Sequence, residues 1–322
     1  MTRVLVTGAA GFIGSHVVEA LLGRGDDVIG VDNFDPFYPR AMKERNLREI
    51  GERPGFRFVE RDMLDVDALA PLLTADSVLV HLAGKAGVRP SIADAVGYAR
   101  TNVAGTTAVL EAARRAGVVR VVYGSSSSVY GDTTPAPFRE DAPAVTPVSP
   151  YAATKRGGEL VLQALAPLHG FQAASLRFFT VYGPRQRPDL AIHAFARRLA
   201  QGLPLTLYGD GSQARDYTYV DDIVRGVLAA VDWTAAAPVG MDIFNVGGAR
   251  PVPLRTLVGV LAGAMGVEPR LEWAPLPPGD VQRTFADLEK SRRVLGYNPR
   301  TSLEDGIARF VTWFRRAYAE ER

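Results

Sequence analysis

Apolar residues in the first half of the chain form short, nearly continuous runs that alternate with stretches of helical periodicity. The apolar runs predict six strands, at residues 3–7, 28–32, 56–60, 77–81, 120–124 and 173–178. The stretches between them predict four helices, at residues 13–24, 68–73, 96–116 and 151–169. Apolar strands separated by helices indicate a parallel sheet that is covered on both faces. Because crossovers between parallel strands are right-handed, we expect an α/β fold with a doubly wound parallel sheet.

The pattern changes after about residue 180, where Pro and Gly become frequent and the apolar runs shorten. Residues 220–231 and 241–246 indicate a return of the chain to the sheet, and residues 251–322 predict a few short helices. We therefore expect a ligand-binding domain over residues 1–180, with a return segment near 216–247. A smaller, discontinuous domain would cover residues 181–322, and the cleft between the two would hold a ligand.

Composition narrows the classes of function. Hydrophobic residues make up 47% of the chain and charged residues 22%, which is ordinary for a soluble globular protein. The formal net charge is +2 and the basic residues are dispersed, so we expect no nucleic-acid partner. The chain has no cysteine, which excludes disulfides and cysteine chemistry, and we expect no metal site. With no signal-peptide pattern and no apolar run that could cross a bilayer, we expect a cytoplasmic enzyme without a membrane partner.

The first candidate site is a glycine-rich turn between the first predicted strand and the first helix. Gly8, Gly11 and Gly14 permit a tight turn, backbone approach to a pyrophosphate and close packing of helix on strand. Asp32 ends the second strand about 20 residues further on, where a carboxylate accepts from both ribose hydroxyls and repels a 2′-phosphate. The pattern predicts NAD rather than NADP, the alternative being an empty turn beside a solvated aspartate.

The second candidate site is the sequence Tyr151-x-x-x-Lys155 at the start of a predicted helix. The two side chains lie one turn apart on one face, and a lysine ammonium beside a phenol lowers the pKa of the phenol. Such a tyrosine is a usable general base, the alternative being an exposed aromatic–cation pair. The serines at 125–128 follow the fifth strand, at the edge where open α/β sheets bind ligands.

These motifs and five further phrases resemble the extended short-chain dehydrogenase/reductase family, whose members act on nucleotide-linked sugars. The phrases are HLAG at 81–84, NVAGT at 102–106, SPY at 149–151, RFFTVYGP at 177–184 and RDYTYVDD at 215–222. The resemblance covers essentially the whole chain. It implies a Rossmann-type domain for NAD and a smaller C-terminal domain for a nucleotide sugar.

The resemblance also implies residue roles: Tyr151 is the base, Lys155 binds the nicotinamide ribose, and Ser126 orients the substrate hydroxyl. The implied NAD site comprises Gly8, Gly11, Phe12, Ile13, Gly14, Asp32, Asn33, Asp62, Met63, Leu82, Ala83, Lys85, Asn102, Tyr151, Lys155 and Phe178. The implied sugar-nucleotide site comprises Arg89, Ser126, Ser127, Ser128, Thr180, Arg185, Arg187, Leu205, Thr206, Tyr208, Arg215 and Asp280. The resemblance implies that residues 204–208 border the nucleobase and that Arg215 holds the diphosphate.

One position departs from the family pattern. Galactose-type epimerases carry a second arginine three residues before the aspartate that matches Asp280, whereas this chain has Pro277. Diphosphate binding on that side is therefore open, with Arg283 as a substitute.

Three reactions of the family begin with oxidation at C4 of the sugar, and the residues after Ser126 separate them. Dehydratases typically carry Asp-Glu there, and decarboxylases typically carry Glu at the second position. This chain has Ser127 and Ser128, whose hydroxyls have no useful acid–base pKa, so an epimerase is favoured. A non-catalytic NAD-binding protein is the alternative from another class, and retention of the Tyr–Lys pair disfavours it.

Within the family, residues 32–45, residues 86–91 and Thr180 resemble UDP-glucuronate 4-epimerases. Galactose-type enzymes usually have Asn at the position of Thr180, and a shorter residue leaves room beside C6. Arg185 or Arg187 would pair with the C6 carboxylate, the alternative being a diphosphate contact or a surface loop. We therefore expect conversion of UDP-glucuronate to UDP-galacturonate, with UDP-glucose 4-epimerisation as the alternative.

A homodimer is expected because the helices at 96–116 and 151–169 match the family's dimer helices. The alternative is that the apolar stripes of both helices pack on the sheet.

Overall fold

The computed structural model describes residues 1–275 and 282–320, which form twelve strands and twelve α-helices. The strands are β1 (Arg3–Thr7), β2 (Asp27–Asp32), β3 (Phe56–Glu60), β4 (Val78–His81), β5 (Arg120–Ser126), β6 (Gln172–Phe178), β7 (Thr180–Tyr182), β8 (Leu205–Tyr208), β9 (Ala214–Tyr219), β10 (Gly240–Val246), β11 (Pro251–Pro253) and β12 (Leu271–Ala274). The helices are α1 (Phe12–Gly23), α2 (Arg40–Ile50), α3 (Val66–Leu69), α4 (Val88–Ala93), α5 (Ala95–Ala99), α6 (Gly105–Arg115), α7 (Pro150–His169), α8 (Ala191–Ala200), α9 (Val220–Trp233), α10 (Leu254–Met265), α11 (Glu289–Leu295) and α12 (Leu303–Glu320).

Seven strands form one parallel sheet in the order β10-β6-β5-β4-β1-β2-β3. Side chains alternate along each strand, so Val4 and Val6 of β1 enter the hydrophobic cluster on one face and Leu5 enters the cluster on the other. Helices α1 and α9 cover the first face, and α6 and α7 cover the second. The expected doubly wound fold is confirmed. The chain order reverses between β1 and β4, and at such a point the carboxyl ends of the strands open a crevice.

The elements differ from the sequence prediction in several places, including α4 and α8, for which the sequence predicted no helix. Helix α2 was not predicted, because its few apolar residues give no clear stripe and it buries Lys43, Arg45 and Asn46 instead. The single helix expected at 96–116 is α5, a π-helical turn at Arg100–Ala104, and α6. The expectation of only short helices after residue 251 is wrong, since α12 has 18 residues.

The C-terminal part packs against one end of the sheet. It contains the small sheet β11-β9-β7 and the parallel pair β12-β8, with α8, α10 and α12 around them. The chain returns to the main sheet through α9 and β10, and β10 pairs with β6. Across residues 1–275 and 282–320, no helix combines the length and apolar character needed to span a membrane.

Candidate active site

A cleft of about 540 Å³ opens at the carboxyl ends of β1, β2, β4 and β5, and its volume lies in the usual range for ligand pockets. The structure brings together there nearly all the residues that the sequence assigns to a cofactor. Those that line the cleft are Gly8, Gly11, Phe12, Ile13, Gly14, Asp32, Asn33, Asp62, Met63, Leu82, Ala83, Lys85, Tyr151, Lys155 and Phe178. Arg187, assigned to the substrate, lines the same cleft.

The glycine turn leaves no space for side chains. Gly8 has φ +74°, and a Cβ there would lie 2.9 Å from the backbone nitrogen of Ala83. A Cβ on Gly14 would lie 2.0 Å from the carbonyl oxygen of Gly8. Gly11 precedes α1 and provides no side-chain cap, so the first N–H groups of α1 remain available to a ligand. The turn therefore fits a pyrophosphate group.

Asp32 ends β2 with a buried carboxylate that is already oriented. Its Oδ1 accepts from the backbone N–H of Phe34 at 2.8 Å and from Lys43 Nζ at 3.2 Å. Both bonds use Oδ1, so Oδ2 can accept from ribose hydroxyls. Asn33 donates to Asp62 at 3.0 Å, which joins the ends of β2 and β3.

Several cleft residues were not assigned a role from the sequence, and Tyr38, Lys43, Arg61 and Arg100 are among them. Tyr38 and Lys43 come from the loop and helix that follow β2, where no helix was predicted. The buried position of Lys43 beside Asp32 depends on how α2 packs, which no local pattern reveals. The signal available in the sequence was the resemblance of residues 32–45 to the family.

Tyr151 and Lys155 are placed by the first turns of α7. The Ser149 hydroxyl accepts from the Ala152 N–H at 3.1 Å and caps the helix, and Pro150 supplies its first residue. Lys155 Nζ donates to the carbonyl of Gly124 at 2.7 Å. The Ser149 cap fixes where α7 begins, and Tyr151 and Lys155 on its first turns line the cleft.

Burial dominates the titration of this pair. It raises the pKa of Tyr151, against the opposing effects of a hydrogen bond with Ser126 and the charge of Arg187. Burial also lowers the pKa of Lys155 to about 8, with the charge of Glu159 acting in the opposite direction. The sequence predicts that Lys155 lowers the pKa of Tyr151, whereas Ser126 and Arg187 are the groups that do so here.

A buried ion pair lies beneath the Tyr–Lys pair, and the sequence analysis missed it. Glu159 accepts from Arg177 Nε and Nη2, both at 2.9 Å, and the two side chains are essentially inaccessible to solvent. Ser125 donates to the same carboxylate at 2.6 Å, and Arg156 donates at 2.8 Å. The network fixes the end of β5 against α7.

The serine run forms a short turn after β5. Ser126 Oγ accepts from the N–H of Ser128 at 3.2 Å and from its hydroxyl at 2.9 Å. Ser127 is buried and follows Ser126 in a 3₁₀ turn at Ser127–Tyr130. Neither Ser127 nor Ser128 offers the carboxylate that elimination of water requires.

The two candidate arginines for a carboxylate have different positions. Arg187 lines the cleft, and its Nε and Nη2 donate to Asp189 at 2.9 and 2.8 Å. Arg185 does not line it: its side chain pairs with Glu49 at 2.8 Å and with Glu19 at 3.0 Å. The assignment of Arg185 to the substrate is therefore withdrawn, because these carboxylates of α1 and α2 already bind its guanidinium.

Other residues assigned to the substrate lie in the C-terminal part or contact it. Arg89 of α4 stacks 4.7 Å from the ring centroid of Tyr208, which with Thr206 is half-buried on β8. Leu205 is fully buried in the core, so the alternation of β8 corrects its assignment to a substrate contact. Arg215 donates to the carbonyls of Ala214 and Gln282 at 3.2 and 3.4 Å.

The remaining residues that the sequence singled out are not among the described residues that line the cleft. Asn102 accepts from the N–H of Lys85 at 2.8 Å and donates to its carbonyl at 2.9 Å, so it holds the Lys85 loop instead of lining the cleft. Thr180 opens β7 and is half-buried. Asp280 and Pro277 lie outside the described residues, while Arg283 stacks 5.3 Å from the ring centroid of Phe285. In residues 1–275 and 282–320, no group of three or more acidic or histidine side chains is placed to hold a metal ion.

Comparisons with known proteins give one consistent family. A model of the NAD dependent epimerase/dehydratase family matches residues 4–247. The chain is 39% identical to a UDP-glucuronate 4-epimerase from Thermodesulfobacterium geofontis (strain OPF15), over 97% of this chain and 96% of that protein. It is similar to the crystal structure of UDP-glucuronic acid 4-epimerase from Bacillus cereus in complex with UDP-glucuronic acid and NAD, with TM-score 0.92, 36% identity and coverage of 98% and 100%. It is also similar to dTDP-glucose 4,6-dehydratase DesIV from Streptomyces venezuelae with NAD and TYD bound, with TM-score 0.91, 36% identity and coverage of 99% and 98%.

Proposed function

The chain belongs to the NAD dependent epimerase/dehydratase family, and from this premise we propose that it uses NAD to invert C4 of UDP-glucuronate, giving UDP-galacturonate. The observation that carries the proposal is the meeting of Tyr151, Lys155 and Arg187 in the cleft above the glycine turn. Residues 1–180, with the return segment, would hold NAD, and residues 181–322 would hold most of the UDP-sugar.

The residues of the cleft fit NAD. The glycine turn has no room for a Cβ at Gly8 or Gly14 and presents the N-terminus of α1 to the pyrophosphate. Asp32 would bind the adenine ribose through Oδ2, while Tyr151 and Lys155 would bind the nicotinamide ribose. When bound, NAD supplies the acceptor and then the donor of the C4 hydride.

Tyr151 carries the proton transfer of both half-reactions. Its phenolate takes the proton of the C4 hydroxyl during oxidation and returns a proton to the keto oxygen after the sugar presents its opposite face. The Ser126 hydroxyl, which bonds with Tyr151, orients the C4 oxygen. Lys155 would bind the nicotinamide ribose, while the hydrogen bond with Ser126 and the charge of Arg187 favour the phenolate.

The fold does not distinguish epimerisation from dehydration, because a dehydratase and an epimerase are about equally similar to this chain in structure. The difference lies in the turn after Ser126. Elimination of water across C5 and C6 needs a general acid and a general base there, and Ser127 and Ser128 supply neither. Reduction of the keto sugar is then the remaining outcome.

Arg187 is what favours a uronate over a neutral hexose. Its guanidinium lies in the cleft close enough to Tyr151 to influence the pKa of that residue. A planar guanidinium recognises a carboxylate through two parallel hydrogen bonds. It would also hold the carboxylate in the ring plane, which disfavours loss of CO₂ from the β-keto acid formed by oxidation.

The proposal is tested by incubating the purified protein separately with UDP-glucuronate and with UDP-glucose and resolving the products by NMR. We expect UDP-galacturonate from the first and little product from the second. Conversion of UDP-glucose alone would replace the uronate assignment with UDP-glucose 4-epimerisation. Release of UDP-4-keto-pentose would indicate a decarboxylase, and no turnover of either sugar would favour a non-catalytic NAD-binding protein.

Asp32→Ala is expected to weaken NAD binding about tenfold or more, because a charged hydrogen-bond acceptor for the ribose is lost. It also leaves Lys43 without its carboxylate partner, so NADP should gain relative to NAD. Titration of cofactor-free protein with both dinucleotides measures the two effects. Asp27→Ala, at the opposite end of the same strand, is the matched control. Wild-type protein that binds NADP as tightly as NAD would contradict this role of Asp32.

We propose further that the enzyme is a cytoplasmic homodimer. Val96 of α5 is 83% exposed and Leu160 of α7 is 50% exposed, and α5 packs against α7. Exposed apolar side chains on two neighbouring helices support burial of these helices against a second copy of the chain.

Val96→Glu with Leu160→Glu is expected to convert the dimer into a monomer, since like charges would face each other across the two-fold axis. Sedimentation equilibrium measures the mass directly. Val239→Glu, an exposed apolar residue before β10, is the control and should leave the mass unchanged. A wild-type mass equal to one chain would overturn the dimer.

A further inference from the structure

Arg187 is already bound to a carboxylate from its own chain. Its Nε and Nη2 donate to the two oxygens of Asp189 at 2.9 and 2.8 Å, the bidentate geometry that a sugar carboxylate would adopt. The Arg187 guanidinium also stacks 5.3 Å from the ring centroid of Phe37, in the loop after β2. The Arg187 side chain thus extends from the loop before α8 to the ring of Phe37. Its positive charge is balanced by Asp189.

The two partners are not equally accessible. The Arg187 side chain is 16% exposed and the Asp189 side chain is 32% exposed, so the aspartate is the more solvated member of the pair. Because water can solvate the released aspartate, part of the attraction that is lost when the pair opens is recovered. A ligand carboxylate inside the cleft can therefore compete for the guanidinium at modest cost.

Charge also distinguishes the free enzyme, in which Asp189 binds Arg187, from the complex with a uronate. UDP-glucuronate brings a carboxylate in addition to its diphosphate, and Asp189 beside it would place two carboxylates on one guanidinium. Two carboxylates on one guanidinium repel each other, which favours departure of Asp189 from Arg187 when the uronate binds. With a neutral hexose nothing displaces Asp189, and the pair stays closed.

We propose that Asp189 is a specificity-determining residue: it occupies Arg187 in the free enzyme and exchanges with the C6 carboxylate of the substrate. The inference rests on the proposed function, because it requires a uronate as ligand. Asp189 keeps Arg187 from binding other anions, and its competition sets the affinity for the uronate. This competition leaves unchanged the affinity for UDP-sugars that have no carboxylate.

The test is calorimetric titration of NAD-containing protein with UDP-glucuronate and with UDP-glucose, in a Tyr151→Phe background that prevents turnover. Asp189→Asn keeps the shape of the side chain and removes its charge. We expect Kd for UDP-glucuronate to fall about threefold to fivefold, the equivalent of a partly exposed ion pair, and Kd for UDP-glucose to stay constant. In an Arg187→Ala background, where UDP-glucuronate binds more weakly, Asp189→Asn should change nothing further.

The chain offers a matched control in Arg139 and Asp141, an Arg–Asp pair of the same spacing that does not line the cleft. Asp141→Asn should leave both dissociation constants unchanged. If Asp189→Asn leaves UDP-glucuronate binding unchanged or weakens it, while the wild type epimerises that substrate, the exchange is overturned and the proposed function stands. If the wild-type cleft binds UDP-glucose but not UDP-glucuronate, both the uronate assignment and the exchange fail.

Discussion

Tyr151→Phe is expected to lower turnover of UDP-glucuronate by a factor of about 100 or more, in line with the contribution of a general base. The substitution keeps the aromatic ring, which lies edge-on to Tyr98 with centroids 6.3 Å apart, and removes only the hydroxyl. NAD content should remain normal, because the glycine turn and Asp32 are untouched. Initial rates by NMR, with NAD content measured on the same preparation, give both quantities.

Tyr98→Phe is the matched control. It also removes a phenolic hydroxyl, but that hydroxyl donates to the Ala86 carbonyl at 2.9 Å and takes no part in the proposed proton transfer. We expect a rate within a few-fold of wild type. Near-normal activity of Tyr151→Phe would remove Tyr151 as the base, whatever the substrate.

Glu159→Ala is expected to lower the free energy of unfolding by about 3–5 kcal/mol, because it leaves the charge of Arg177 buried and unpaired. Burial opposes ionisation of Glu159, but hydrogen bonds from Arg177, Ser125 and Arg156 hold its pKa below the usual value. Arg177 Nη1 is also buried, with no hydrogen-bond partner among the described residues, so the guanidinium already lacks one acceptor in the wild type. Urea unfolding followed by circular dichroism measures the loss.

The sign of the pH dependence follows from the same contacts. A carboxyl with a lowered pKa in the folded state stabilises the protein above its unfolded pKa and loses that contribution as the pH falls. Wild type should therefore lose stability in acid more steeply than Glu159→Ala. Glu111→Gln, which breaks an exposed ion pair with Arg114 and Arg115, should change little. A Glu159→Leu, Arg177→Met double variant that is no more stable than Glu159→Ala would contradict the unpaired-charge explanation.

Local patterns in the sequence account for most of the fold and the centre of the site. The strands follow from apolar runs, and the glycine turn and the Tyr151–Lys155 spacing follow from residues close together in the chain. The same reasoning fails where a side chain binds a residue that is far away in the sequence. Arg185 is bound by Glu19 and Glu49, more than 130 residues away, and only the packing of α1 and α2 places those carboxylates beside it.

Two other errors have physical causes of a different kind. Helix α2 has a mostly polar sequence, and its buried polar side chains bind partners that lie far away in the chain: Lys43 pairs with Asp32, and Asn46 donates to the carbonyl of Ala10. Leu205 was assigned with its neighbours as one block, whereas side chains of a strand alternate between two sides. The pairing of Arg187 with Asp189 was equally hidden, because a guanidinium two residues from a carboxylate need not contact it.

The π-helical turn at Arg100–Ala104 changes the direction in which side chains face along the helical segment between α4 and β5. One additional residue in a turn rotates everything after it by about 100° relative to an uninterrupted α-helix. Before the turn, Val96 faces away from the sheet, and after it Val109 and Leu110 face the core. The turn also directs Asn102 toward the Lys85 loop of the cleft. A one-residue deletion within it would restore ideal helical geometry yet set the outer surface and the core out of phase, so this segment tolerates substitutions more readily than changes in length.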